Sequence, residues 1–309
     1  MENKKYGAVV IGGGPAGYTA AMYCARAGID TLVLEMLSPG GQMATTSNVE
    51  NYPGFEDGID GFELGEKMQK NAEKFGAQTE YAEVVSLDVN SVPKVITTTE
   101  GDILSDTVII ATGANPRKLG LEGEESLVGK GVAYCAYCDG MYYKGKTVAV
   151  IGGGDSAAED ALYLSKICKK VYLVHRRNEL RAVKSYVKSL NNTENIELVL
   201  NAKPSKLIYD SKLNAIELED TSDGHKFTLD VDAVFAAVGR IPNTDLVKGK
   251  VETDNSGYII ADETGRTNVP GVFAVGDVRT KHLRQIITAA SDGANASKFV
   301  QEYIDSIKE

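Results

Sequence analysis

The sequence is poor in histidine and cysteine, with three and four of them in 309 residues. Four cysteines are too few for a disulfide-stabilised scaffold and fit a reducing compartment, so we expect a cytoplasmic protein. Three histidines without a second Cys-x-x-Cys pair leave too few ligands for zinc, and we expect no metal. No apolar run approaches the roughly 18 residues of a membrane span, and we expect neither a span nor a signal peptide.

The chain also has fewer basic than acidic residues, with 33 Lys and Arg against 43 Asp and Glu, which gives a net charge of −10. This balance argues against nucleic acid or an anionic membrane as a general partner. The composition, with 43% apolar and 25% charged residues, is typical of a globular chain rather than a disordered one. The length suits about two domains.

One internal similarity divides the chain. Residues 6–17 read YGAVVIGGGPAG and residues 146–157 read KTVAVIGGGDSA. Each segment is a β-branched run that ends in three glycines. Each is followed by a helix-like stretch, at 17–27 and 156–169, and by a second strand, at 31–35 and 171–175. The pattern predicts two βαβ units, and therefore an α/β fold with two Rossmann-like dinucleotide-binding domains.

The glycine spacing matches the dinucleotide fingerprint in both units, as Gly12-x-Gly14-x-x-Gly17 and Gly152-x-Gly154-x-x-Ala157. The first glycine permits a tight turn and the second lets a pyrophosphate approach the backbone. The third small residue keeps helix and strand close, and the phosphates sit at the helix N-terminus. The alternative is that these glycines form tight turns that bind no ligand. The presence of two such segments, each between a strand and a helix, disfavours this alternative.

The ends of the two second strands carry opposite charge. Glu35 is suited to accept hydrogen bonds from a ribose diol, as in FAD or NAD. His175-Arg176-Arg177, with Arg181 four residues on, is suited to surround a 2′-phosphate with charge-assisted donors. The first site should therefore hold a nucleotide with a free 2′-hydroxyl and the second NADP(H), unless the arginines are simply a solvated basic helix start.

A Cys-Ala-Tyr-Cys segment, Cys135 to Cys138, lies just before the second βαβ unit and predicts a redox-active dithiol. Asp139 follows it and is a candidate proton donor to a departing thiolate, or alternatively a cap or turn residue. Cys24 and Cys168 lie in predicted helices and should be core residues. Since flavin passes electrons from a nicotinamide to a disulfide and a second nicotinamide does not, the first nucleotide should be FAD.

Taken together, these motifs resemble the NADPH-dependent low-molecular-weight (bacterial-type) thioredoxin reductases over essentially the whole chain. Further segments resemble that family's FAD motifs: Gly40-Gly41-Gln42, Glu50-Asn51-Tyr52-Pro53-Gly54, Ala111-Thr112-Gly113, and residues 271–290 with Gly276-Asp277 and Arg284-Gln285-Ile286. One departure is Tyr137 between the cysteines, where threonine is commoner. The fold implied is that of class II pyridine nucleotide-disulfide oxidoreductases.

The resemblance assigns site residues as expectations. Those for FAD are Gly12, Gly14, Pro15, Ala16, Gly17, Glu35, Gly41, Gln42, Asn51, Ala111, Thr112, Gly113, Gly276, Asp277, Arg284, Gln285, Ile286 and Ala289. Those for NADPH are Gly152, Gly154, Asp155, Ser156, Ala157, His175, Arg176, Arg177 and Arg181. Asp277 would take a ribityl hydroxyl, and a helix that starts near Arg284 would direct its N–H groups at the flavin pyrimidine oxygen. Cys135, Cys138 and Asp139 would be catalytic.

The family layout implies a discontinuous FAD domain at 1–116 and 244–309, an NADPH domain with the dithiol at 117–243, and a homodimer. It implies electron flow from NADPH through FAD and the Cys135–Cys138 disulfide to thioredoxin. One alternative keeps the fold with a ferredoxin donor or as a flavin dithiol oxidase, and neither of these needs a 2′-phosphate clamp. Another is an electron-transfer flavoprotein without dithiol chemistry.

Overall fold

The structure is a computed structural model that describes residues 4–46 and 48–308. The chain divides into two compact units: unit 1 comprises Met1–Asn115 and Ile241–Glu309, and unit 2 comprises Pro116–Arg240. The chain passes from one unit to the other in two short strands, at Ala114–Pro116 and Arg240–Pro242. Among the helices in the described part of the chain, none is both long and apolar enough to cross a membrane.

In chain order the strands are β1 (Lys5–Ile11), β2 (Thr31–Glu35), β3 (Gln78–Tyr81), β4 (Val84–Asp88), β5 (Lys94–Thr98), β6 (Gly101–Ile110), β7 (Ala114–Pro116), β8 (Val132–Ala133), β9 (Thr147–Ile151), β10 (Lys170–Val174), β11 (Ile196–Val199), β12 (Ala202–Tyr209), β13 (Leu213–Asp220), β14 (Lys226–Asp230), β15 (Ala233–Ala236), β16 (Arg240–Pro242) and β17 (Val272–Ala274). The α-helices are α1 (Pro15–Arg26), α2 (Gly61–Lys74), α3 (Ala136–Asp139), α4 (Asp155–Ser165), α5 (Lys184–Asn191) and α6 (Ile286–Ser306).

Unit 1 is built on a seven-stranded sheet in the order β3-β2-β1-β6-β5-β4, with β17 also paired to β6. The strands β3, β2, β1, β6 and β17 run parallel, and β5 and β4 add an antiparallel edge. Central β1 is an unbroken buried apolar run from Ala8 to Ile11, as expected for a parallel strand covered on both faces. Helices α1 and α6 pack against one face.

Unit 2 contains a five-stranded parallel sheet in the order β11-β10-β9-β15-β8 and a separate antiparallel sheet of β12, β13 and β14. Its central strand β9 is buried from Val148 to Ile151, and α4 covers it through Ala157, Ala161 and Leu164. Both predicted strand–glycine turn–helix–strand units are present, and the α/β prediction with two Rossmann-like units is confirmed.

Candidate active site

The first glycine turn joins β1 to α1 in unit 1. Gly14 is the N-cap of α1, and Pro15 occupies its first turn, where a missing N–H costs nothing. A Cβ on Gly17 would overlap the carbonyl oxygen of Gly12, so this close contact requires glycine. A Cβ on Gly14 would instead have no neighbour within 4 Å among the described residues. The turn therefore leaves space beside the unpaired N–H groups of α1, as the binding of a pyrophosphate requires.

Glu35 ends β2 beside this turn. Its Oε2 accepts the N–H of Gly13 at 2.7 Å, and its Oε1 accepts the N–H of Leu37 at 3.0 Å. Each carboxylate oxygen has a second lone pair, so Glu35 keeps acceptor capacity for a ribose diol. The carboxylate is thus fixed next to the glycine turn by main-chain donors, at the position that the sequence predicts.

The C-terminal part of unit 1 returns to the same turn. Gly276 lies between the first turn of α1 and the first turn of α6, because a Cβ there would stand 2.8 Å from the Cβ of Ala16 and 3.7 Å from that of Ala289. Helix α6 begins at Ile286, two residues after the predicted start near Arg284, with Gln285 as N-cap in a reciprocal capping box with Thr288. Asp277 follows in a half-buried 3₁₀ turn.

Side-chain amides connect the other predicted FAD segments. Nδ2 of Asn51 donates to Oε1 of Gln285 at 3.1 Å. Nε2 of Gln42, in a 3₁₀ helix that starts at Gly41, donates to the carbonyl oxygen of Ala114 and to Oδ1 of Asn115, the latter at 2.8 Å. Four segments that are far apart in sequence are therefore joined in two pairs within unit 1.

Thr112 and Asn243 form a reciprocal pair where β6 ends. Oγ1 of Thr112 donates to the carbonyl oxygen of Asn243 at 2.6 Å, and Nδ2 of Asn243 donates back to the carbonyl oxygen of Thr112 at 2.8 Å. The N–H of Asn243 donates to the carbonyl oxygen of Gly113 at 3.0 Å. Ala111, which precedes them, is buried. This pairing holds the Ala-Thr-Gly segment in place.

Arg284 provides a test of fit for FAD in unit 1. Its guanidinium lies over the ring of Tyr258 at 4.0 Å, and Nη2 donates to the carbonyl oxygen of Arg279 at 3.4 Å. Its Nε is buried without a partner among the described residues. A buried donor without an acceptor is costly, and a ligand oxygen would relieve that cost. The residues fit FAD: an acidic strand end, an open glycine turn, a helix N-terminus and an unsatisfied cationic donor.

The second glycine turn joins β9 to α4 in unit 2. Gly154 is the N-cap of α4, with Asp155 and Ser156 exposed in the first turn and Ala157 buried. Oδ1 of Asp155 accepts the N–H of Val183 at 2.8 Å. The turn and the loop at 176–183 are therefore linked, which the sequence did not indicate.

The same loop folds over Gly153. The carbonyl oxygen of Gly153 accepts the N–H of Arg181 at 2.6 Å and that of Ala182 at 3.1 Å. The sequence predicts that Arg181 contributes to a nucleotide site, and these two bonds bring it to the glycine turn.

His175 provides the corresponding test for NADPH. It is 5% exposed and follows β10, and its Nε2 is buried without a partner in the described chain. Burial and the positive charges of Arg181, Arg177 and Arg176 lower the pKa of His175 below its ordinary 6.5, and all three arginines are exposed. Three guanidinium groups are donors suited to a 2′-phosphate, and a polar ligand atom would satisfy Nε2, so the residues fit NADPH.

Cys135 and Cys138 form a disulfide in unit 2. Cys135 is the N-cap of α3, and its Sγ accepts the N–H of Cys138 at 3.1 Å. Asp139 is half-buried, and burial raises the pKa of its carboxyl to about 6. An acid that titrates near neutral pH is suited to move protons at a neighbouring sulfur.

Helix α3 is held against α4 by Tyr137, the residue between the cysteines. Its ring packs on that of Tyr163 with centroids 4.3 Å apart, and its hydroxyl donates to Oε1 of Glu159 at 3.3 Å. The sequence showed Tyr137 as a departure from the family pattern but gave no sign of its partners.

Cys24 and Cys168 are free and buried, one in each unit. Burial raises the pKa of Cys24 to about 12 and that of Cys168 to about 11. Neither is a reactive thiolate near neutral pH, and their prediction as core residues is confirmed.

Sequence reasoning missed a buried ionic group, Arg279 with Asp292, next to Gly276. One signal was available: Asp292 lies among Ala289, Gly293 and Ala296, the small residues of α6 that the 3–4 spacing predicts to be buried. A carboxylate on such a face needs a partner.

Three comparisons with known proteins agree. The profile of the pyridine nucleotide-disulphide oxidoreductase family matches residues 6–293. The chain is 44% identical over 309 residues to a thioredoxin reductase of Listeria innocua, covering 100% of this chain and 97% of that protein. It is 42% identical over 310 residues to the thioredoxin reductase of Bacillus subtilis, covering 100% and 98%. A crystal structure of thioredoxin reductase from Streptococcus pyogenes superposes with a TM-score of 0.90 at 40% identity, covering 99% of this chain and 100% of that one.

Proposed function

The chain belongs to the pyridine nucleotide-disulphide oxidoreductase family and, within it, to the thioredoxin reductases, and we propose that it reduces the disulfide of thioredoxin through Cys135 and Cys138. The predicted family resemblance is confirmed. The enzyme is an oxidoreductase that uses FAD and NADPH. When bound, NADPH supplies a hydride, and FAD passes the two electrons on to a disulfide.

The observation that carries the proposal is the Cys135–Cys138 disulfide in the unit that also contains the His175 and arginine cluster. We assign NADPH to unit 2, Pro116–Arg240, which overlaps the NADPH domain that the sequence predicts at 117–243. His175, Arg176, Arg177 and Arg181 would hold the 2′-phosphate, and the first turn of α4 would receive the pyrophosphate.

We assign FAD to unit 1, Met1–Asn115 and Ile241–Glu309, which overlaps the FAD domain that the sequence predicts at 1–116 and 244–309. Glu35 would bind the ribose, the N-terminus of α1 the pyrophosphate, and Asp277 the ribityl chain. Arg284 and the N-terminus of α6 would face the flavin ring, where a positive end favours the negative charge that develops on reduction. The buried, unsatisfied Nε of Arg284 supports this placement.

The protein-substrate step is thiol–disulfide exchange. One reduced cysteine, as thiolate, attacks a sulfur of the substrate disulfide and forms a mixed disulfide while the second substrate sulfur leaves as thiolate. The other cysteine then attacks its neighbour, restores the Cys135–Cys138 disulfide and releases the substrate dithiol. The N–H of Cys138 donates to Sγ of Cys135, so negative charge on Cys135 is stabilised when the disulfide opens. This supports reduction by attack on Cys138.

Asp139 would manage the proton of this step. Reduction of a protein disulfide to a dithiol by NADPH consumes one proton from solvent. With a pKa of about 6, the Asp139 carboxyl exchanges between its acid and base forms near the working pH. Asp139 follows Cys138, and its N–H donates to the carbonyl oxygen of Cys135 at 3.0 Å, so we propose that its carboxyl donates a proton to the departing thiolate of Cys135.

The alternatives with a ferredoxin donor or with oxidase chemistry are not favoured. Both would leave Arg176, Arg177, Arg181 and the unsatisfied Nε2 of His175 without a ligand. The relatives at 42–44% identity over the full chain are named thioredoxin reductases.

We further propose that the enzyme acts in the cytoplasm as a homodimer. The two free cysteines, Cys24 and Cys168, and NADPH-dependent disulfide reduction both suit a reducing compartment. Sedimentation of the purified holoenzyme tests the oligomeric state, and a monomer at micromolar concentration would contradict the dimer.

A double variant, C135S/C138S, tests the proposed function. It should lose NADPH-dependent reduction of thioredoxin completely and still show reduction of its flavin by NADPH. The matched control is C24A/C168A, which removes the two buried free thiols and should retain most of the activity. Thioredoxin reduction by C135S/C138S would refute the assigned dithiol.

A further inference from the structure

Asp292, in the second turn of α6, collects four hydrogen bonds inside unit 1. Its Oδ2 accepts from the N–H of Gly276 at 2.9 Å, from Nε of Arg279 at 2.8 Å and from Nζ of Lys281 at 2.9 Å. Its Oδ1 accepts from Nη2 of Arg279 at 2.7 Å. One carboxylate thus joins helix α6 to the segment that follows β17.

The charges of this group are buried. Asp292 is 4% exposed and Arg279 is 2% exposed, and the side chain of Lys281 is 6% exposed. Burial raises the pKa of Asp292, but hydrogen bonds from Arg279 and Lys281 outweigh it and hold the pKa below its ordinary value. Buried ions are costly unless they are fully paired, and replacing them with apolar side chains is often no less stable. Overall stability therefore does not by itself account for such a group.

The group fixes the turn at Gly276. Gly276 has a φ of 75°, in the left-handed region that favours glycine, and it lies between Ala16 of α1 and Ala289 of α6. Its N–H is held by Asp292. The next residue is Asp277, so the position of its main chain depends on this bond.

Arg279 extends the group toward Arg284. Its Nη1 donates to the carbonyl oxygens of Ala261 and Thr280, at 3.2 and 2.9 Å, which fixes the guanidinium in place. Its own carbonyl oxygen accepts from Nη2 of Arg284. The Asp292 group therefore contacts Gly276, which precedes the proposed FAD contact Asp277, and Arg284, which is itself a proposed FAD contact.

We propose that Asp292 is a positioning residue of the FAD site: held by Arg279 and Lys281, it fixes the Gly276–Asp277 turn to helix α6 without touching the cofactor. The inference rests on the proposed function, because it takes Asp277, Arg284 and the start of α6 as FAD contacts. Asp292 acts through these residues and through the N–H of Gly276.

The test uses the purified holoenzyme, its deflavinated form and three variants. D292N is nearly isosteric but removes the buried counter-charge of Arg279 and Lys281, so that Arg279 keeps only its pair with the exposed Glu263. D292N/K281M removes one cation as well, so the net charge of the group equals that of the wild type and folding is protected. E302Q is the matched control, because it makes the same carboxylate-to-amide change on α6 at an exposed pair with Arg266.

FAD affinity, measured by titrating deflavinated protein with FAD, should fall at least 10-fold in D292N/K281M and stay within 2-fold in E302Q. The midpoint potential of the bound flavin should shift downward in the double variant, because the turn and the helix start are displaced from the ring. A loss of packing alone would lower the melting temperature without moving this potential.

A folded D292N/K281M protein with wild-type FAD affinity and potential would overturn the proposal. The same holds if E302Q is as impaired as the double variant. If D292N does not fold, the FAD affinity and the midpoint potential of D292N/K281M test the proposal. Failure of the wild-type chain to bind FAD would instead refute the proposed function, so the two failures are distinguishable.

Discussion

The imidazole of His175 lies against Gly153, so closely that a Cβ on Gly153 would overlap the ring. The end of β10 and the glycine turn after β9 are thereby in contact within unit 2. Gly153 is the middle residue of its glycine triplet and lies outside the fingerprint positions, yet its lack of a side chain makes room for the histidine.

Replacing Gly153 with alanine should therefore impair NADPH binding. The methyl group displaces the ring of His175. It also disturbs the carbonyl oxygen of Gly153, which accepts the main-chain N–H groups of Arg181 and Ala182. We expect the dissociation constant for NADPH to rise about 10-fold or more, as for loss of one charge-assisted contact. Equilibrium titration of G153A checks this, and FAD content, which depends on unit 1, is the internal control.

The arginines should determine the preference for NADPH over NADH. R181A should weaken NADPH binding by about 10- to 100-fold, the usual range for a hydrogen bond to a charged group, and leave NADH binding almost unchanged. K188A, which removes a cation from the last turn of α5, is the control and should keep the preference. Equal losses for NADPH and NADH in R181A would show that Arg181 does not contact the 2′-phosphate.

The lowered pKa of His175 predicts acid sensitivity of unit 2. Because burial and the three arginines lower this pKa in the folded state, the unfolded chain binds the proton more tightly than the folded chain does. The contribution of His175 to stability is therefore complete above about pH 6.5 and is lost as the pH falls below it. Chemical unfolding of H175Q between pH 5 and pH 8 should show a weaker pH dependence than the wild type, and an unchanged slope would contradict this.

Asp139 should set the pH dependence of the disulfide step. With a pKa of about 6, its protonated fraction falls as the pH rises from 5 to 7. D139N removes the titrating group and should slow single-turnover reduction of thioredoxin by about 100-fold, the lower end for loss of general acid catalysis. The inflection near pH 6 should vanish with it.

Asp160 on α4 is the matched control for Asp139. Burial and the charge of Glu159 raise the pKa of Asp160 to about 7, although Arg240 opposes the rise. D160N should keep both the rate and the inflection near pH 6. If D160N rather than D139N abolishes the inflection, the proton donor has been assigned to the wrong carboxyl.

The sequence was sufficient for features that depend on local pattern. Both glycine turns, the strand that precedes each and the acidic and basic strand ends follow from residue spacing within about 30 residues. The end of α4 was predicted less well. The pattern extended this helix to Lys169, but it ends at Ser165, because the carbonyl oxygen of Ile167 accepts from Gly145 and the N–H of Lys169 donates to Lys146.

Contacts between distant segments could not be predicted from the sequence. The partners in the pairs Asn51–Gln285 and Thr112–Asn243 are more than 100 residues apart. These contacts depend on how the fold of unit 1 brings the segments together. The pair of Asp292 with Arg279 was also missed, although the two residues are only 13 positions apart in the sequence. The family resemblance identified many of these residues as site residues, but it did not indicate their hydrogen-bond partners.

The most direct test of the account is an anaerobic titration of the purified holoenzyme with NADPH and, separately, with NADH, followed by the visible absorbance of the flavin. We predict that NADPH bleaches the flavin at a concentration at least 10-fold lower than NADH does, because a single charge-assisted contact to the 2′-phosphate is worth about that factor in affinity. Subsequent addition of oxidised thioredoxin should restore the colour. A yellow protein that neither nucleotide bleaches would contradict the account and favour a ferredoxin-fed or oxidase activity.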